Sequence, residues 1–124
     1  MAEERAVAAA RGALAEQAAC DYLTTQGLKL QTRNYRCRSG EIDLIMRDGD
    51  TLVFVEVRYR STMRFGGAAA SIDITKQQKL IRAAQTFLGE QHLTNAPCRF
   101  DVVTVHPHDG TMRVEWIPNA IEAH

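Results

Sequence analysis

Cysteine is scarce in this chain, and what there is does not pair. Cys20, Cys37 and Cys98 are odd in number and far apart, and no CxxC occurs. That argues against a disulfide framework or a structural zinc site and predicts a reducing, cytoplasmic setting. An excess of either charge is also missing, with 15 Lys and Arg against 15 Asp and Glu. A nonspecific nucleic-acid coat is as a rule strongly basic, so any nucleic acid must be met by a local patch. No apolar run approaches the roughly 20 residues of a membrane helix. The start, Met1-Ala2-Glu3-Glu4-Arg5, lacks the basic-then-apolar layout of a signal peptide. No membrane partner is expected. Repeats and low-complexity linkers are absent too, so residues 1–124 are expected to form a single domain. Apolar residues make up 45% of the chain, enough to exclude disorder as the default.

What is present is ordered by periodicity. Residues 3–26 are alanine-rich and predict a helix, with Val7, Leu14, Ala18 and Leu23 near one stripe and Gly27 as its stop. Leu28 to Tyr35 predicts a strand, weakly patterned. Glu41 to Met46 and Thr51 to Tyr59 predict two strands joined at a hairpin signal, Asp48-Gly49. Arg60 to Ser71, with Gly66-Gly67, predicts a loop. A second helix from about Ile74 to Gly89 carries Leu80, Ile81, Ala84, Phe87 and Leu88 on its apolar face. Phe100 to Val105 and Thr111 to Ile117 complete the order α-β-β-β-α-β-β, an α/β fold with a mixed β-sheet flanked by helices.

Two acids stand out against this pattern. Asp43 lies inside Ile42-Asp43-Leu44-Ile45 and Glu56 inside Phe54-Val55-Glu56-Val57. An acid within so apolar a strand costs free energy unless something pairs it. Arg58 shares the Glu56 face by the period of two. A turn at Asp48-Gly49 sets Asp43 against Phe54, diagonal to Glu56; a turn at Gly49-Asp50 sets it directly opposite Glu56. Either register places both carboxylates on one sheet face, where they repel unless a cation lies between them. Hard oxygen ligands favour Mg²⁺ or Mn²⁺, which can polarise a phosphodiester and activate water. The plain alternative is a solvated Glu56–Arg58 pair with Asp43 at a strand end.

The run Gly40-Glu41-Ile42-Asp43-Leu44-Ile45, followed by Leu52-Val53-Phe54-Val55-Glu56-Val57-Arg58-Tyr59-Arg60, resembles the signature of the YraN-like family of bacterial proteins. The likeness extends to Gly12-x-x-x-Glu16, Tyr22-Leu23, Gly27, Asn34, Lys76 and Arg99-Phe100-Asp101-Val102-Val103. Through that family it implies a restriction-endonuclease-like fold of the PD-(D/E)xK nuclease superfamily, similar to archaeal Holliday-junction resolvases. The implied activity is a Mg²⁺-dependent (or Mn²⁺-dependent) endonuclease acting on DNA, including branched or recombination intermediates. A homodimer is implied by analogy, since cutting a junction takes two active sites.

The resemblance also implies roles. Asp43 and Glu56 would hold the metal, with the Val57 carbonyl as a third ligand. Glu16 would be an accessory acid, directly or through water; its plain alternative is a helix-surface glutamate. Lys76 and Gln77 would contact substrate or the attacking water, against the alternative of a solvated helix face. The superfamily motif ends in lysine where this chain has Arg58. Arginine stays protonated and cannot take a proton from water, though it can stabilise phosphate charge. That departure supports a rival, a nucleic-acid- or partner-binding protein that has lost turnover. Arg33, Arg36, Arg38, Arg60 and Arg64, with Lys76 and Lys79, are candidates to grip a phosphate backbone, and Tyr35 or Phe65 to stack a base; for any one arginine an ordinary surface position is the plain alternative. His106-x-His108 is too short to form a metal site. Asp101 is assigned to a strand end or the site rim.

Overall fold

The computed structural model describes residues 2–60 and 72–122. Arg64, Phe65 and the expected Gly66-Gly67 loop lie outside them. Helix α1 (Ala2–Thr25) ends as its sequence predicts: Gly27 takes φ +97, and the Leu28 N–H returns to the Leu23 carbonyl at 3.1 Å, closing a Schellman-type cap. Its contact with the body is narrower than expected. Only Ala15, Ala19, Cys20 and Leu23 are buried, while Val7 and Leu14, expected on the buried stripe, are exposed. Residues 2–11, the first turns of the helix, are exposed throughout.

Strands β1 (Lys29–Cys37), β2 (Gly40–Asp48) and β3 (Thr51–Tyr59) form an antiparallel meander. Helix α2 (Ile74–Glu90) then crosses over to β4 (Cys98–His108), which runs parallel to β3, and β5 (Thr111–Ile121) returns antiparallel. The sheet order is β1-β2-β3-β4-β5. The parallel step is what requires a helix between β3 and β4, since a tight turn cannot join parallel neighbours. The β4–β5 hairpin turns at Asp109-Gly110, both residues at positive φ (49 and 79).

The strands feed two cores, by alternation on β3 and β4 and with a break on β2, where Ile42 and Ile45 share one core. One, beneath α2, holds Ile42, Ile45, Leu52, Phe54, Phe100 and Val102 with Leu80, Ala84 and Phe87. The other, beneath α1, holds Leu44, Met46, Val53, Val55, Val103 and Val105 with Ala15, Ala19 and Leu23. No described helix is long and apolar enough to cross a membrane.

Candidate functional site

The β2–β3 hairpin resolves the two registers open in the sequence. Asp48 pairs with Thr51 and Leu44 with Val55, so the loop is Gly49-Asp50 and the register leads Asp43 toward Glu56. Gly49 has φ +61 and Asp50 does not share the positive φ, the pattern of a type II′ turn with glycine first. The ladder's last paired residues are Leu44 and Val55. Beyond them the two strands fork, and the Val57 N–H donates to Asp43 Oδ2 at 2.8 Å. A strand residue turns its N–H and C=O to the same side. The Val57 carbonyl is therefore directed to the fork, where it was expected to serve as a ligand.

On the other side of β2, Arg33 pairs with Leu44 and Tyr35 with Ile42, which sets Asn34 opposite Asp43. Asn34 has φ +50, a left-handed conformation that asparagine tolerates better than most residues. Its side chain hydrogen-bonds Glu16 of α1, and Glu16 in turn feels the charge of Asp43. Glu16 therefore lies within electrostatic reach of the fork.

The electrostatics are those of crowded acids. Burial is the main force raising the Asp43 carboxyl, with the Val57 N–H opposing it. Burial, then the nearby Asp43, pushes Glu56 up to about 7. Burial and Asp43 also raise Glu16. One cation offsets this directly: Lys76 Nζ lies 3.4 Å from Glu56 Oε1. It projects from the first turn of α2, where Asp73 caps the helix by accepting the Lys76 N–H at 2.8 Å. Arg58, on the Glu56 face, lowers the Glu56 value further.

The remaining expected residues divide. Gln77 uses its side-chain N–H on the Ile72 carbonyl at 2.9 Å, a tie within the start of α2. Lys79 stands where α2 closes on the β1–β2 turn; a Cβ on Gly40 would meet its Cβ at 3.4 Å. Arg60 is half-buried at the end of β3, its N–H bonded to the Val105 carbonyl at 2.8 Å. Arg38 is exposed at the β1–β2 turn. Arg36 is exposed and pairs with Glu41 at 3.4 Å. Since Tyr35 and Cys37 pack toward α2, alternation turns Arg36 to the opposite face. Arg33 is tied to Gln17 of α1. Sequence reasoning gave no role to Asn34, whose positive φ has no local signature, and did not pair Lys76 with Glu56, because a crossover helix brings them together.

Among the described residues no group of three or more His, Cys, Asp or Glu forms a ready-made metal cage. The fork nevertheless suits a small hard cation. Its donors are two carboxylates and a carbonyl, all oxygen; burial raises both acids, and the Asp43 charge raises Glu56 further. Mg²⁺ is held in this way, by one or two carboxylates with the rest of its shell in water.

The model of the uncharacterised protein family UPF0102 matches residues 15–105. A UPF0102 protein of Methylococcus capsulatus is 54% identical over 112 residues, 90% of each chain. One from Stutzerimonas stutzeri is 51% identical over 113 residues, 90% of this chain and 94% of its own. One from Pseudomonas paraeruginosa is 49% identical over 123 residues, 97% of this chain and 98% of its own.

Proposed function

Because the chain belongs to the uncharacterised protein family UPF0102, a membership that names no reaction, we propose from the chemistry of the fork that it is a divalent-metal-dependent endonuclease acting on DNA. The observation that carries this reading is the pair Asp43 and Glu56, brought together in an apolar setting, with Lys76 and Arg58 as basic groups that lower the Glu56 value. Such a pair is a poor structural device, since two like charges held close destabilise the fold. It is a good cation site. Mg²⁺ or Mn²⁺ bound there would polarise a phosphodiester and lower the pKa of water.

The chain's own residues supply the rest. The Val57 N–H fixes Asp43 through Oδ2, leaving Oδ1 and Glu56 to bind. Glu16, steadied by Asn34, is placed to hold water at the rim. Lys76 stands in for a cation on Glu56 and, once released, is free to turn toward a phosphate oxygen or the attacking water. It is thus the lysine of the site, arriving from α2 while Arg58 occupies the place of the motif lysine on β3. Arg58 would stabilise charge on the phosphate. Branched DNA and a homodimer with two such sites belong to this proposal by the resemblance to resolvases.

The rival, a binding protein without turnover, is favoured by Arg58 alone. A labelled panel of linear, single-stranded, flap and four-way-junction DNA separates them. The wild type is expected to cleave at least one substrate with Mg²⁺ or Mn²⁺ and none in EDTA. Glu56→Ala should lose roughly 10²-fold or more in rate. Cleavage unaffected by Glu56→Ala, or binding without cleavage of any substrate, removes the enzyme reading.

A further inference from the structure

The sheet face under α2 changes character at Glu56. Below it the face is apolar, with Leu52 and Phe54 on β3 and Phe100 and Val102 on β4. Above it, successive same-face positions are Arg58 on β3, with Arg60 just past its end, and Thr104 and His106 on β4; on β5, Glu115 pairs with Thr104 and Arg113 with His106. The opposite face shows no such change: Val57, Tyr59, Val103, Val105, Val114 and Trp116 continue its apolar core. A sheet that needed only a core would carry apolar residues on both faces.

Within this polar stretch, Thr104 and His106 are 5% and 3% exposed. Among the described residues, the Thr104 hydroxyl and His106 Nδ1 are buried without a hydrogen-bond partner. Buried polar atoms are nearly always paired, and an orphan points to strain, catalysis or a missing ligand or water. Here two orphans stand at adjacent same-face positions on one strand. In the β3–β4 register Thr104 lies beside Arg58, and Glu56 beside Val102. One same-face step along a strand is about 6.6 Å and two are about 13 Å. The orphans therefore extend away from the carboxylates in line with the basic side of the site. Their neighbours Arg58 and Arg60 are cations, and a hydroxyl and an imidazole can both donate. The row suits an anion rich in acceptors.

We infer that Thr104 and His106, with Arg58, form a subsite for the backbone phosphate next to the one at the Asp43/Glu56 fork. This rests on the nuclease reading for the identity of the central phosphate and adds the requirement that the substrate be a polynucleotide running along β3 and β4. Methyl groups in place of these donors would satisfy the free protein better and serve the ligand worse.

The test is a methylphosphonate scan, in which each internal phosphate of a short DNA strand is neutralised in turn. Binding is read by fluorescence anisotropy with Ca²⁺ and again in EDTA, for the wild type, Thr104→Val and His106→Phe. The wild type is expected to lose about tenfold in affinity at the subsite phosphate. Thr104→Val should bind unmodified DNA about that much more weakly, lose its sensitivity at that position alone, and melt no lower than the wild type. His106→Phe should flatten the same position. Identical scan profiles in all three proteins, failure of the wild type to bind DNA, or a marked fall in melting temperature for Thr104→Val overturns the subsite. Since no cleavage is read, inactivity on the substrate panel fails the nuclease reading separately.

Discussion

Asp101 and Glu56 are both buried acids, and their surroundings assign them opposite uses. Asp101 is fully buried and accepts from Arg99 Nε, from Trp116 Nε1 at 2.9 Å and from the Asn119 N–H at 2.8 Å. It holds the β4–β5 pair at the irregularity between Phe100 and Val102. From the sequence it was placed at a strand end or the site rim, because nothing local announces that Trp116 and Asn119 converge on it. Asp101→Asn should lower stability by about 3 kcal/mol, since a buried charged network then loses its anion; thermal melting checks it. Glu56 has the reverse balance. Its folded value of about 7 lies above the ordinary 4.5, so the folded state holds a proton that the unfolded chain releases. Stability is therefore lost as pH rises from about 4.5 to about 7, by at most roughly 3 kcal/mol, and stays lost above that window. Glu56→Gln removes the penalty and leaves Lys76 partly exposed to water. In EDTA, the melting temperature of Glu56→Gln should match the wild type near pH 5 and exceed it near pH 8. A variant that melts lower at both pH values would make Glu56 a structural partner of Lys76.

At the scale of elements, periodicity located every helix and strand, and pairing corrected their edges. Strands β4 and β5 run on to His108 and Ile121, past the expected Val105 and Ile117, because they support each other's ladder through Pro107 and beyond. Of the two hairpin registers open in the sequence, the structure adopts the Gly49-Asp50 loop, which leads Asp43 toward Glu56 beyond the end of the ladder. Helix α2 carries a further dependence. Its N-cap, Asp73, fixes the turn from which Lys76 reaches Glu56. Asp73→Ala should cost about 1 kcal/mol of stability. It should also loosen Lys76, so that added Mn²⁺ raises the melting temperature of this variant at least as much as that of the wild type. No loss of stability would mean that the cap is already replaced by water.

Across the whole molecule, the YraN-like resemblance is borne out as family membership, and the order α-β-β-β-α-β-β is the observed one. The facing acids were legible because strand alternation is local. The polar row of Thr104 and His106 was not, because it emerges only when β4 is set parallel to β3 and the two faces are compared. In this chain of zero formal net charge, the two acids at the fork of the sheet are the proposed cation site. A Mn²⁺ titration followed by water-proton relaxation, comparing the wild type with Asp43→Asn and Glu56→Gln, tests this most directly. One site is expected in the wild type, with binding at least about tenfold weaker in each variant. Equal Mn²⁺ binding by all three proteins, or none by the wild type, would contradict it.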